Sequence, residues 1–272
     1  MHRARLSSFC AAAFALLCGS CGSQDGDPHS DHGVPPAAGK DLRIRQIADP
    51  ASPQKAQHLQ TVSVSGVTVI AVDTHDETLN GKSRGTIYVQ DVGSQEPYSG
   101  ISLFAPEFIP GNLRVGPGDV LDMRGTYQEN QNIGSAKFAP GATLPQLARP
   151  VATFRFEGKP LEPRDIDIKD LETYETGRKW LNMLVRVKNV TIKGAVFESG
   201  NNNRVSVPLT DGPASGACED PFPKAPTITN ELANLNELNI KGATPVKSIV
   251  GVVTYFCNLH ISPRSPADVQ IN

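Results

Sequence analysis

The sequence predicts an all-β protein built from two tandem units, and three observations carry that expectation. The first is the run 61–72, Thr-Val-Ser-Val-Ser-Gly-Val-Thr-Val-Ile-Ala-Val, where β-branched and apolar residues alternate with small polar ones as on a half-buried strand. The second is a series of shorter runs at 85–92, 100–105, 120–127 and, more weakly, 136–138, separated by Gly, Pro, Asn and Asp, with no convincingly amphipathic helix among them. Many short strands with such punctuation argue a barrel or sandwich. The third is repetition: Val62-Ser-Val-Ser-Gly-Val-Thr-Val69 aligns without gaps on Val185-Arg-Val-Lys-Asn-Val-Thr-Ile192. Ile87–Asp91 then corresponds to Val207–Asp211, and Val120–Gly125 to Val246–Gly251, in the same order. A buried face imposes alternation on any sheet, so the shared spacing is the stronger argument for duplication.

Taken in order, the chain opens with His2, Arg3 and Arg5, an apolar run from Phe9 to Leu17, and Cys18-Gly-Ser-Cys21. A positive start, a short apolar stretch and a small-residue exit describe an export signal, and the stretch is too short to span a bilayer as a helix. Gly19 and Ser20 before Cys21, with Leu16 and Leu17 upstream, resemble the lipobox of bacterial lipoproteins. That resemblance implies that residues 1–20 are a signal peptide and that Cys21 becomes the acylated first residue of the mature chain. Two or three acyl chains hold a protein on a membrane effectively permanently, at about 0.8 kcal/mol per buried methylene. Gly22, standing where an Asp would favour retention at the inner membrane, points to the outer membrane.

Five cysteines are present. Cys10 and Cys18 leave with the signal and Cys21 is committed to lipid, so Cys218 and Cys257 remain as a natural disulfide pair in an oxidising compartment. A redox or metal role for the pair would call for C-x-x-C proximity or neighbouring histidines, and only His260 is near. Residues 21–55 read as a tether, polar and rich in Gly, Pro and Asp at first, with Leu42, Ile44 and Ile47 alternating loosely with Arg43 and Arg45 toward its end. Asp25, Asp27, His29, Asp31 and His32 fit a solvated spacer better than a metal tract, since nothing scaffolds them.

The two β units are expected over 56–153 and 177–272. Residues 154–176 between them, with Lys159-Pro160, Glu162-Pro163 and the acidic Asp165, Asp167, Asp170, Glu172 and Glu175, read as a linker with one short helical turn at 167–174. The long first strand, Ile87-Tyr-Val-Gln-Asp91, the Gly-Pro-Gly-Asp-Val entry at 116–120 and Gly125 are similar to the OB-fold-like modules of secreted bacterial nucleases and many envelope proteins. Met183-Leu-Val-Arg-Val-Lys-Asn-Val and the ending Ile261-Ser-Pro-Arg-Ser-Pro-Ala-Asp268-Val extend the resemblance to the second unit. It implies two five-stranded, partly open barrels and says little of function, because these residues determine turns and cores.

No Gly-x-Ser-x-Gly, phosphate loop or His-Glu-x-x-His occurs in the sequence, which asks for no metal or other cofactor. His58, His75 and His260 are scattered singles. Asp73, His75, Asp76 and Glu77 cluster after the first strand, but Thr78 stands where a calcium loop needs Gly. A single-strand binder pairs a basic groove with aromatic platforms. Residues 56–153 carry six basic against nine acidic side chains and residues 177–272 ten against seven, so the second unit is the better partner for phosphate. Its candidate groove is Arg186, Lys188 and Arg204 with Phe197 and Tyr255 as stacking rings. The plainer reading is that alternating Arg and Lys solvate a strand while the aromatics are core, and that Trp180 plugs the end of the second barrel. The sequence as a whole thus describes a non-catalytic, lipid-anchored envelope module whose partners are the membrane and an envelope protein or polymer. Its longest irregular stretches, 73–84 and 199–224, are the expected contact surfaces. Binding of extracellular single-stranded nucleic acid by the second unit is the alternative.

Overall fold

A computed structural model describes residues 41–76, 85–104, 115–133, 136–194, 197–199, 204–211, 225–238, 240 and 242–272. In the first unit, helix α1 (Ile44–Ala48) precedes strands β1 (Thr61–Val72), β2 (Ile87–Asp91), β3 (Gly100–Phe104), β4 (Asp119–Asn130), β5 (Asn132–Ile133), β6 (Ala136–Lys137) and β7 (Leu144–Glu157). The second follows with β8 (Arg164–Asp165), α2 (Tyr174–Gly177), β9 (Leu184–Thr191), β10 (Phe197–Ser199), β11 (Arg204–Pro208), β12 (Thr227–Thr229), β13 (Pro245–Tyr255), β14 (Leu259–Ser262) and β15 (Val269–Ile271). Strand dominates, as the sequence predicts.

The alternation in β1 explains both its burial and its bend. Val62, Val64, Val67 and Val69 all enter the first core, although a spacing of three between Val64 and Val67 would put them on opposite faces of a regular strand. The register against β4 shifts between these two residues, and Gly66 sits there at φ 65, a conformation open to glycine without steric cost. Pairing runs β1-β2-β3-β7-β4 and returns to β1, with β3 and β7 the parallel pair. In the second sheet the order is β10-β11-β12-β14-β13-β9-β8, with β12 and β14 parallel. The segment β11-β12-β14-β13-β9 therefore reproduces β2-β3-β7-β4-β1. Where β7 is one strand along β4, the corresponding edge is divided into β14 and β15, both paired with β13. At the far ends of this sheet, Lys193 N donates to Pro208 O at 3.0 Å, joining the chain after β9 to β11.

Two expected boundaries are corrected. Residues 41–55, assigned to the tether, are folded: Ile44 and Ile47 are fully buried in the first core. A five-residue helix does not hold itself. Here the buried Asp91 carboxylate accepts from Ile44 N at 2.8 Å and Arg45 N at 3.0 Å, while Arg43 Nη1 donates to the Ser65 and Gly66 carbonyls. Further on, Lys55 Nζ reaches Glu129 at 2.7 Å and Tyr127 Oη at 2.9 Å. Residues 154–176 are not a free linker either. Their first four residues finish β7, Arg164–Asp165 adds a parallel strand to β9, and the single turn expected at 167–174 becomes a 3₁₀ helix at Ile168–Leu171 followed by α2.

The two sheets are docked on the outer face of β2 and β3. Ile87, Val89, Ile101 and Leu103 point into the first core, so Tyr88, Gln90, Gly100 and Ser102 point out; yet these outward residues are buried as well. Leu184 N donates to Gln90 Oε1 at 3.0 Å, Tyr98 N to Lys179 O at 2.7 Å, and Asn182 Nδ2 to Pro145 O at 3.0 Å. Tyr88 Oη donates to Glu231 at 3.1 Å, whose other carboxylate oxygen accepts from Thr254 and Ser262. Ile70, Ala71, Tyr88, Leu184, Leu232 and Val252 form an apolar cluster of their own in the seam. At Gly100 a Cβ would overlap the backbone carbonyl of Asn182.

Gly100→Val is expected to destabilise the protein by about 1–3 kcal/mol or to separate its unfolding into two steps, since neither backbone at the seam can yield cheaply; urea denaturation followed by circular dichroism checks it. Burial raises the Asp91 carboxyl to about 6 against the opposing pull of its two backbone donors and of Arg43 and Arg45. Because that value lies above the ordinary 3.8, the folded state holds the proton more tightly, and the stability Asp91 contributes is fullest below about pH 4 and lost as pH rises through about 6. Denaturation midpoints between those limits should fall for the wild type relative to Asp91→Asn, whose amide does not titrate.

Candidate functional site

The Lys159-Pro160 and Glu162-Pro163 pairs favour extended backbone in the residues around them, and the chain beyond them lies beside β9 in parallel register, Arg164 against Val185 and Asp165 against Arg186. Ile166 N donates to Arg186 O at 3.0 Å. Asp167 then starts the 3₁₀ helix by accepting from Lys169 N at 3.0 Å. Between this segment and β9 opens a groove of about 540 Å³, walled by Arg164, Asp165, Asp167, Asp170, Trp180, Arg186, Lys188 and Asn189.

Of the five residues expected in a nucleic-acid groove, the structure brings Arg186 and Lys188 together. Both are taken up by one carboxylate: Lys188 Nζ lies 2.6 Å from Asp165 Oδ2 and Arg186 Nη1 3.3 Å from Oδ1. The Lys188 hydrogen bond leads in holding the Asp165 carboxyl below its ordinary range. Exposed pairs of this kind add little stability, but they cancel positive charge where phosphate would need it. Phe197 lies on β10 and Arg204 on β11, strands that are not in the ladder that pairs β9 with β8 and β13. Tyr255 is a correction: it is buried, edge-on to Phe138 at 4.8 Å and to Tyr174 at 5.2 Å, and so is core rather than a stacking platform. Trp180 is likewise buried in the second core, in keeping with the plug expected of it.

Histidines serve the frame. His58 Nδ1 accepts from Glu129 N, and the buried His260 ring sits between Thr227 Oγ1 and the Phe256 carbonyl. No three His, Cys, Asp or Glu side chains gather to hold a metal among the described residues. Cys257 is buried, while Cys21, Cys218 and much of the expected contact stretches 73–84 and 199–224 lie outside the described residues.

Sequence reasoning passed over Arg164, Asp165, Asp167 and Asp170 by treating 154–176 as a linker. A signal was there: Asp165 and Asp167 alternate in an extended, proline-flanked segment, as Arg186 and Lys188 alternate in β9, and opposite charges at the same period favour cross-strand pairing. The molecule is thus an all-β protein of two sheets, with a charged groove where the segment between the units lies against β9. Set against protein-family models and curated proteins, its sequence matches none. Among the described residues no helix is long and apolar enough to cross a membrane.

Tyr255→Ala should cost about 3 kcal/mol or more, as truncation of a buried aromatic does, whereas Tyr255→Phe should cost much less; thermal denaturation of the pair distinguishes a core ring from a surface one.

Proposed function

We infer that this protein is an exported lipoprotein of the cell envelope, anchored through Cys21 and working as a non-catalytic binding or structural module of two OB-like units. The observation that carries the reading is the order of basic, apolar and small residues before Cys21. The repeated strand order, with the parallel pair β3–β7 of the first sheet matched by β12–β14 of the second, supports the OB-like assignment. In such folds the face of the second and third strands is the usual ligand surface. Here the first unit's face, β2 and β3, is covered by the second unit, which leaves binding to the second unit, through the equivalent strands β11 and β12 or the separate groove along β9. The nucleic-acid reading is the weaker one, since Asp165 engages both cations it depends on and offsets part of their charge. In this reading Cys257 is paired in a disulfide with Cys218, the partner that export and lipidation leave over.

Cys21→Ser should move the protein from the membrane to the soluble fraction, as seen by fractionation and immunoblotting; a variant that stays on the membrane would overturn the anchor. Intact mass with and without reductant should differ by two hydrogens, and peptide mapping should join Cys218 to Cys257.

A further inference from the structure

The groove beside β9 is balanced in charge. Arg164, Arg186 and Lys188 line it together with Asp165, Asp167 and Asp170. A polyanion wants a track of uncompensated positive charge, and a hard cation wants converging carboxylates. Neither is present: Asp165 is shared between Arg186 and Lys188, Asp170 lies 3.5 Å from Lys179 Nζ, and Asp167 spends one oxygen on the 3₁₀ helix. A hydroxyl group donates one hydrogen bond and accepts others, so a chain of hydroxyls suits a wall where guanidinium and ammonium groups alternate with carboxylates. Asn189, exposed at φ 54, adds an amide that both donates and accepts.

Trp180 borders the groove and is only 6% exposed. Its ring is packed in the second core with the Lys179 ammonium 5.1 Å from the ring centre, so Trp180 acts as a wall of the groove and not as an open stacking platform.

From this geometry we propose that the groove binds a neutral polyhydroxylated ligand, an oligosaccharide segment of an envelope polymer, through Arg164, Asp167, Asp170 and the Arg186–Asp165–Lys188 group. The proposal rests on the reading of the protein as a binding module and names the class of its ligand.

Trp180 is the sole tryptophan, so its fluorescence reports on this groove directly. Titrating the full chain with chitotriose and, separately, maltotriose should give a saturable change with at least one of them, at the same midpoint in low and high salt. Asp167→Asn combined with Asp170→Asn should weaken that binding about tenfold, the usual effect of losing hydrogen bonds to charged groups. Asp165→Asn, which releases Arg186 and Lys188, should weaken saccharide binding while strengthening retention of oligothymidine. A flat response to both saccharides at millimolar concentration overturns the proposal, as does a salt-sensitive response of the wild type to oligothymidine. The wild-type titration is decisive even if a variant folds poorly, and fractionation of Cys21→Ser tests the anchor separately, so the two failures are told apart.

Discussion

At the closest approach of the two sheets only a hydrogen atom fits. Gly100 presents its bare α-carbon to the Asn182 carbonyl, and around that contact the outer face of β2 and β3 becomes interior. Tyr88, Gln90 and Ser102 would be ordinary surface residues on an isolated first unit. In the whole chain they are buried polar groups: Ser102 bonds within its own unit, to Pro145 O, whereas Tyr88 and Gln90 bond across the seam, and a lost bond costs about 1–3 kcal/mol. Gln90 meets Leu184 N, Tyr88 meets Glu231, and Glu231 gathers Thr254 and Ser262. Such a seam is stringent as well as stabilising, because every one of these bonds demands the same placement of one sheet on the other.

That docking also accounts for the chain between the units. With β7 and β9 held at fixed positions, residues 158–183 have a defined span to cross, and they do so as an added strand and short helical turns rather than as free linker. The groove is a by-product of this route. Asp165 is drawn against Arg186 and Lys188 because the parallel register of β8 and β9 leaves it there, and Trp180 is driven into the second core by the turn that precedes β9.

Helix α1 obeys the same logic. It is too short to persist by backbone bonds alone, so its existence depends on Ile44 and Ile47 filling the core and on Asp91 satisfying the free N–H groups at its start. The carboxylate accepts a desolvation penalty in return for holding a segment that would otherwise leave the core open.

Period and punctuation in the sequence were enough to determine strand class and the approximate limits of β1, β4 and β9, because alternation records which face of a strand is buried regardless of what buries it. The same record misplaced the ends. Leu42, Ile44 and Ile47 are too few to announce a helix, and nothing local in them reports that Asp91, far along the chain, would cap it. Arg186 and Lys188 were legible as a basic stripe, but a charge is neutralised by whatever lies beside it in space, and Asp165 came from a segment read as linker. Tyr255 shows the converse: an aromatic in an alternating strand is equally suited to a surface or a core, and only the arrival of Phe138 and Tyr174 from elsewhere in the chain made it core. What the sequence by itself determined was periodic and local; the seam, the helix cap and the charge balance of the groove were decided by the tertiary structure, since each is a contact between groups whose separation along the chain carries no trace of their meeting.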